Sequence, residues 1–215
     1  MDERLPLILF LLATVVPLFL GKTGAAPAWL SLQGLAMGWI SLTQHHVLSA
    51  HALAGGLEVL LVRALLVPTL LRRALAGSAA AHDDLMPSNL LIWGVALALI
   101  ILAFKFGDGA RADVRALTLG VVAATGTMAF LLLSTNREPA AQLVALLFME
   151  NALALFESLM SEPWSVPVHV GVSGLYVGTV AVGVWLVRAP AAPLPAPDPA
   201  AAACAVSDDA VAREP

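Results

Sequence analysis

Long apolar runs separated by short polar stretches recur along this chain. Seven stand out, at 5–21, 28–47, 50–71, 88–106, 114–134, 139–160 and 167–188. Each is close to the ~20 residues that an α-helix needs to cross the hydrocarbon core of a bilayer. The pattern predicts an all-α, polytopic transmembrane helix bundle of about seven spans filling residues 1–188. The first run also admits a signal-peptide reading, because small residues follow it in Thr23-Gly24-Ala25-Ala26. Two acids against one base in Met1-Asp2-Glu3-Arg4, with Pro27 close behind, favour a retained helix.

Composition strengthens the membrane expectation. The 215 residues are 60% hydrophobic and 12% charged, whereas soluble domains are about 45–50% apolar and about 25% charged. Twenty-six charged residues (11 basic, 15 acidic) cannot coat a water-soluble protein of this size, which argues against a soluble enzyme or a secreted binding module. The net charge of −4 argues against a nucleic-acid partner. Cys204 is the single cysteine, so neither an intrachain disulfide nor a thiolate metal cluster can form within the chain.

Alternating spans place Lys22, Arg72, Arg73, Arg137 and Arg188 on one side and Arg4, Lys105, Arg111 and Arg115 on the other. The excess of bases favours a cytoplasmic C-terminus. Beyond Arg188, the run Ala-Pro-Ala-Ala-Pro-Leu-Pro-Ala-Pro-Asp-Pro cannot sustain a helix, so 189–215 read as a disordered, solvated tail. A polar stretch from Gly77 to Asn89 separates three front spans from four back spans. Its His82-Asp83-Asp84 reads as a solvated loop in preference to a metal site.

Four ionisable residues fall inside the runs: Glu58, Arg63, Glu150 and Glu157. A central charge costs roughly 2.5–3.5 kcal/mol on insertion scales, so such residues face a protein interior or a wet cavity. Glu150 lies about midway along the sixth run, in Leu146-Leu147-Phe148-Met149-Glu150-Asn151-Ala152-Leu153, with no base within a helical turn. A carboxyl withdrawn from water favours its neutral form yet gives up a proton when water or a cation arrives. That suits a proton relay, although a neutral Glu tying two helices together, with Asn151 as an available partner, also fits. Glu157 lies two turns along the same face and either extends a polar stripe or snorkels to the interface.

Arg63 sits deep in the third run, between Leu60-Leu61-Val62 and Ala64-Leu65-Leu66. At 100° per residue it stands about 140° from Glu58, so its neutraliser is expected from another helix or another subunit. It serves either a proton path or a fixed interhelical pair. Pro68 removes a backbone donor and predicts a kink or a local opening of the helix, and Gly55-Gly56 permit close helix contact or further distortion. His45, His46 and His51 cluster between the second and third runs. His51 precedes Glu58 by seven residues and is a candidate for proton entry.

Two islands carry a family resemblance. Arg137-Glu138-Pro139-Ala140-Ala141-Gln142, followed by Phe148-Met149-Glu150-Asn151, resembles the Arg, Gln, Met-Glu-Asn signature of component E of hydrogenase 4, a membrane-arm subunit of group 4 hydrogenases. Arg63-Ala64-Leu65-Leu66-Val67-Pro68 resembles that family's basic residue and Leu-Leu-Val-Pro run. The family's back half is similar to the K-type subunit of respiratory complex I and to the C-type subunit of multisubunit cation/proton antiporters. The resemblance implies a proton-translocating membrane arm in the bacterial inner membrane, with large antiporter-like partner subunits. It places Glu150 as the intramembrane glutamate and Arg63 as the buried base. It also implies no catalytic site and no nickel, iron–sulfur or flavin cofactor in this chain. One departure stands out: the last run, Val166 to Arg188, holds no acid, and its Ser173-Gly174-Leu175-Tyr176 offers only hydroxyls. Glu157 or Glu58 would then take the second carboxylate's place. A purely structural assembly subunit and a stand-alone small-solute or cation transporter are the competing readings. The transporter reading would favour an internal repeat, of which Gln33/Gln142 and Arg63/Arg188 give a faint echo.

Overall fold

Unbroken apolar stretches rich in Leu, Ala and Val satisfy their backbone groups internally only as helices, and helices are what form. The computed structural model describes residues 4–44, 55–87, 89–106, 113–157, 159–160 and 166–188. Among these are seven main helices: α1 (Arg4–Leu20), α2 (Ala26–Gln44), α3 (55–75), α4 (Leu90–Phe106), α5 (Val114–Thr135), α6 (Pro139–Glu157) and α7 (Val166–Arg188). Short 3-10 turns at Thr23–Ala25 and Ala79–His82 join α1 to α2 and α3 to α4. The described residues contain no strand, only an isolated bridge between Lys22 and Asp84. The histidine cluster with His51 and the tail from 189 onward lie outside the described residues.

Three helical stretches are long and apolar enough to cross a membrane: Val114–Thr135, Pro139–Glu157 and Gly171–Arg188. Helices α1 and α4 are apolar but have 17 residues each, about 26 Å at 1.5 Å per residue. Hydrogen bonds fix the direction of the helices. The Lys22–Asp84 bridge, Leu85 N–H donating to Gly21 O (3.1 Å), Asn136 Nδ2 donating to Leu85 O (3.0 Å) and Arg188 Nη2 donating to Arg73 O (3.2 Å) gather four chain segments at one end. At the opposite end Arg115 Nη2 donates to Leu159 O (2.9 Å). Successive helices therefore alternate in direction, and Lys22, Arg73 and Arg188 share an end.

The helices form two rows of three. Helices α1, α2 and α3 stand side by side and face α5, α6 and α7, with α1 against α5, α2 against α6 and α3 against α7. Helix α4 packs on the outside of α5, burying only Ala96 and Ala103. Leu97, Ile101 and Leu102 on α4 and Leu175, Trp185 and Leu186 on α7 are exposed. Large apolar side chains thus cover the outside of the bundle as well as filling its core, unlike the surface of a soluble domain.

Helix α3 shows what Pro68 does. The stretch Val59–Leu66 is π-helical, and Val67 N–H bonds to Val62 O, five residues back. Pro68 lacks an N–H, and its ring crowds the carbonyl four residues earlier; the helix accommodates this by widening its register ahead of the proline. Of the two glycines above it, Gly56 lies against the Leu42 side chain of α2, whereas Gly55 faces open space.

A second pair of glycines sets the closeness of α2 and α3. A Cβ on Gly34 would stand 2.7 Å from Ala64 N and 2.8 Å from Arg63 C, both backbone atoms. On Gly38 it would meet only the end of the Leu60 side chain. The spacing Gly34-xxx-Gly38 is the small-residue pattern that lets membrane helices approach. Gly34→Ala is expected to push α3 away and destabilise the protein by about 1–3 kcal/mol, the range for overpacking. Gly126→Ala, on α5 with open space beside it, is expected to be neutral or stabilising through helix propensity. Thermal unfolding in detergent checks the pair, and equal stability of the two variants would refute the close approach.

Candidate functional site: a buried polar layer around Arg63 and Glu150

Each helix of the two rows places a polar or aromatic residue near its middle, and these meet in one layer. Arg63 Nη1 of α3 donates to Asn151 Oδ1 of α6 at 2.8 Å. Asn151 Nδ2 donates to Gln33 Oε1 of α2 at 2.8 Å, and Gln33 Nε2 donates to Thr14 Oγ1 of α1 at 2.7 Å. Thr14 Oγ1 donates to Phe10 O (3.3 Å) and lies 3.5 Å from Thr125 Oγ1 of α5. From α7 the Tyr176 ring covers the guanidinium, with the Arg63 Cζ 4.3 Å from its centroid. Arg63 is 3% exposed, and Thr14, Gln33, Thr125 and Asn151 are fully buried.

Apolar clusters close the layer from both sides. Towards one end lie Leu18, Leu30, Leu71, Met128, Leu147 and Phe148; towards the other lie Leu7, Phe10, Ile40, Val59, Val121 and Leu155. The layer is a thin polar plane across the bundle, at the same depth in every helix that contributes to it.

Its polarity follows from its chemistry. A guanidinium only donates, so it fixes Asn151 with the amide oxygen towards Arg63 and the NH2 towards Gln33, and Gln33 is fixed in turn. Every bond in the chain points the same way, with the negative end of each amide dipole towards the cation, an arrangement in which hydrogen bonds strengthen one another. A buried cation is thereby held by neutral groups, Asn151 Oδ1 and the Tyr176 π-face, with no hydrogen-bonded carboxylate among the described residues. Other helices supply the partners expected for Arg63, as an amide and a ring that solvate its charge without cancelling it.

Glu150 adjoins this layer. One residue before Asn151 on α6, it turns towards α7, where Thr179 Oγ1 donates to Glu150 Oε1 at 2.9 Å. Its Oε2 is buried without a hydrogen-bond partner, as is the Tyr176 hydroxyl. Arg63 lies within electrostatic reach of both residues. The tie to Asn151 considered from the sequence is not made, because Asn151 is committed to Arg63 and Gln33.

Glu58 accepts a hydrogen bond from Ser173 Oγ of α7 at 2.8 Å. The separation of Glu58 and Arg63 by about 140° is corrected by the fold. With i→i+5 bonding each residue turns through less than 100°, so five positions bring the chain back towards one face. Both side chains reach α7, at Ser173 and at Tyr176 three residues on. Glu157 is half-buried in the last turn of α6, away from the layer. The repeat echo fails too: Gln142 donates to Asn136 O at the start of α6 and Arg188 binds Arg73 O, so neither matches its supposed counterpart. His82, Asp83 and Asp84 lie in the loop at the end of the bundle where Lys22 bridges Asp84, and the described residues hold no group of three or more metal-ligating side chains.

The layer contains residues whose role the sequence did not reveal: Thr14, Gln33 and Thr125. The available signal was a single neutral polar residue near the centre of each of three apolar helices. No family model matches the chain, and no curated protein or solved structure matches it.

Proposed function

We propose that this protein is an integral membrane subunit whose seven main helices all cross the bilayer, and that it contributes intramembrane carboxylates to proton translocation in a hydrogenase 4-like or complex I-like assembly. The observation that carries the reading is Glu150: a carboxyl beside a buried cation, with one oxygen held by Thr179 and the other buried and unpartnered. A group that ties helices together is expected to use both oxygens. A group that exchanges protons needs one within reach of an incoming donor.

The family resemblance around Arg63-Ala64-Leu65-Leu66-Val67-Pro68 and Met149-Glu150-Asn151 supplies the assembly. The shared end of Lys22, Arg73 and Arg188 supports the orientation, because bases concentrate on the cytoplasmic face. The exposed face of α7, where Gly171, Gly174 and Gly178 have open space beside them, suits close docking of a partner helix. The structural-subunit reading has its own support in the fully bonded chain from Arg63 to Thr14, which ties four helices.

Purification in mild detergent tests the assembly. Large antiporter-like chains co-purifying with a redox module are the expected result, together with acidification by reconstituted vesicles when an electron donor is added. A lone homo-oligomer of this chain would overturn the reading.

A further inference from the structure

The acid-free helix α7 touches each interior ionisable group of the described residues that lies around the layer. Ser173 reaches Glu58, Tyr176 covers Arg63, and Thr179 reaches Glu150. A spacing of three keeps these side chains on one helical face, each about 4.5 Å further along the axis. We propose that Ser173, Tyr176 and Thr179 form a hydroxyl row that passes protons between Glu58 and Glu150, with the Tyr176 hydroxyl as its middle member. The proposal rests on the proton-translocation reading and assigns it a route.

Three observations converge on the row. Both of its ends are already hydrogen-bonded to carboxylates, at 2.8 and 2.9 Å. Its middle hydroxyl belongs to a side chain only 1% exposed, lies near the Asn151 amide and makes no hydrogen bond of good geometry. The other buried unpartnered oxygen, Glu150 Oε2, lies at the row's receiving end. No hydrogen bond joins the Tyr176 hydroxyl to its two neighbours in the row, so the proposed route takes a bridging water on either side of it.

A hydroxyl both donates and accepts, so each can take a proton on one side as it gives its own on the other. Ionised Glu150 draws a proton from Thr179. Thr179 is refilled through water from Tyr176, Tyr176 from Ser173, and Ser173 from the Glu58 carboxyl. One proton leaves Glu58 and one arrives at Glu150; only O–H bonds break and form, and no electrons change hands. Arg63, with its Cζ 4.3 Å from the Tyr176 ring centroid, disfavours an excess positive charge at the centre of the row.

Tyr176→Phe keeps the ring over Arg63 and removes one oxygen. In the reconstituted complex, with protons counted per electron transferred, the variant is expected to lose about tenfold or more of its proton yield, in line with removal of one proton-transfer group. The solvent deuterium isotope effect on the remaining yield is expected to change, which a merely structural role of the phenol would not produce. Thr179→Val is expected to give the same loss, and it decides the matter alone if Tyr176→Phe does not assemble. Wild-type yield in these variants, with Glu150→Gln inactive, would overturn the row and leave the reading of Glu150 standing. Wild-type yield in Glu150→Gln would overturn the proton-translocation reading and the row with it.

Discussion

Glu150→Gln is expected to stop redox-driven proton movement through this subunit while leaving the protein folded and its complex assembled. Glutamine has nearly the same volume and keeps a carbonyl oxygen for the Thr179 hydroxyl, whose bond at 2.9 Å is the carboxylate's hydrogen bond within the fold. Only the exchangeable proton is lost. Removing a positioned proton-transfer group costs about 100-fold to 10,000-fold in rate, so the loss should exceed anything attributable to packing. The check is acidification of vesicles carrying the reconstituted complex, measured beside electron transfer and thermal stability. A Gln variant that pumps at the wild-type ratio would show that Glu150 is an interhelical tie. In that case Glu150→Ala, which strands the Thr179 hydroxyl, should instead weaken assembly.

Charge made part of this site legible in the sequence. Arg63 and Glu150, like Glu58 and Glu157, stand out because an ionisable side chain in an apolar run is costly. Thr14, Gln33 and Thr125 do not stand out. A neutral polar residue is tolerated in an apolar helix, and its importance lies in the depth at which it meets its partners. Gln33 and Asn151 are 118 positions apart in the chain, and no local pattern encodes their common depth. The helices themselves lie close to the apolar runs, with edges differing by a few residues, because run length and helix length answer to the same demand for internal backbone bonding.

Two features of the site depend on geometry that a sequence pattern does not carry. The angle between Glu58 and Arg63 assumed 100° per residue, and Pro68 had already signalled that this stretch would depart from it. Of the kink and the local opening that Pro68 predicts, the chain shows the opening, as a π register ahead of the proline. The last helix holds no acid, and its part in the site lies in neutral side chains. The side chains at positions 173, 176 and 179 meet Glu58, Arg63 and Glu150 in turn, two through hydroxyls and Tyr176 through its ring, a correspondence that needs the packing of α3 and α6 on α7 to become visible. The Gly34-xxx-Gly38 pattern was readable and bears directly on the site, since Gly34 seats the Arg63 backbone against α2.

Asn151→Leu should be the most damaging single change to the fold. Leucine shares asparagine's branching and its number of side-chain heavy atoms, though it is bulkier, and would suit the apolar clusters on either side. The damage comes from what it leaves behind: a guanidinium 3% exposed with its amide acceptor gone, and Gln33 Oε1 without its donor. Stranding a buried charge costs about 3–5 kcal/mol, and the orphaned amide oxygen adds about 1–3 kcal/mol. Asn151→Asp separates the two contributions. A carboxylate at 151 still accepts from Arg63, now as an ion pair, while the donor to Gln33 is lost. Unfolding in detergent is therefore expected to rank wild type first, Asn151→Asp next and Asn151→Leu well below both, with the leucine variant lower in Tm on the order of 10 °C. If Asn151→Leu unfolds with wild type, Arg63 draws its solvation from elsewhere, and the one-way chain of amide dipoles is not what keeps a cation inside this bundle.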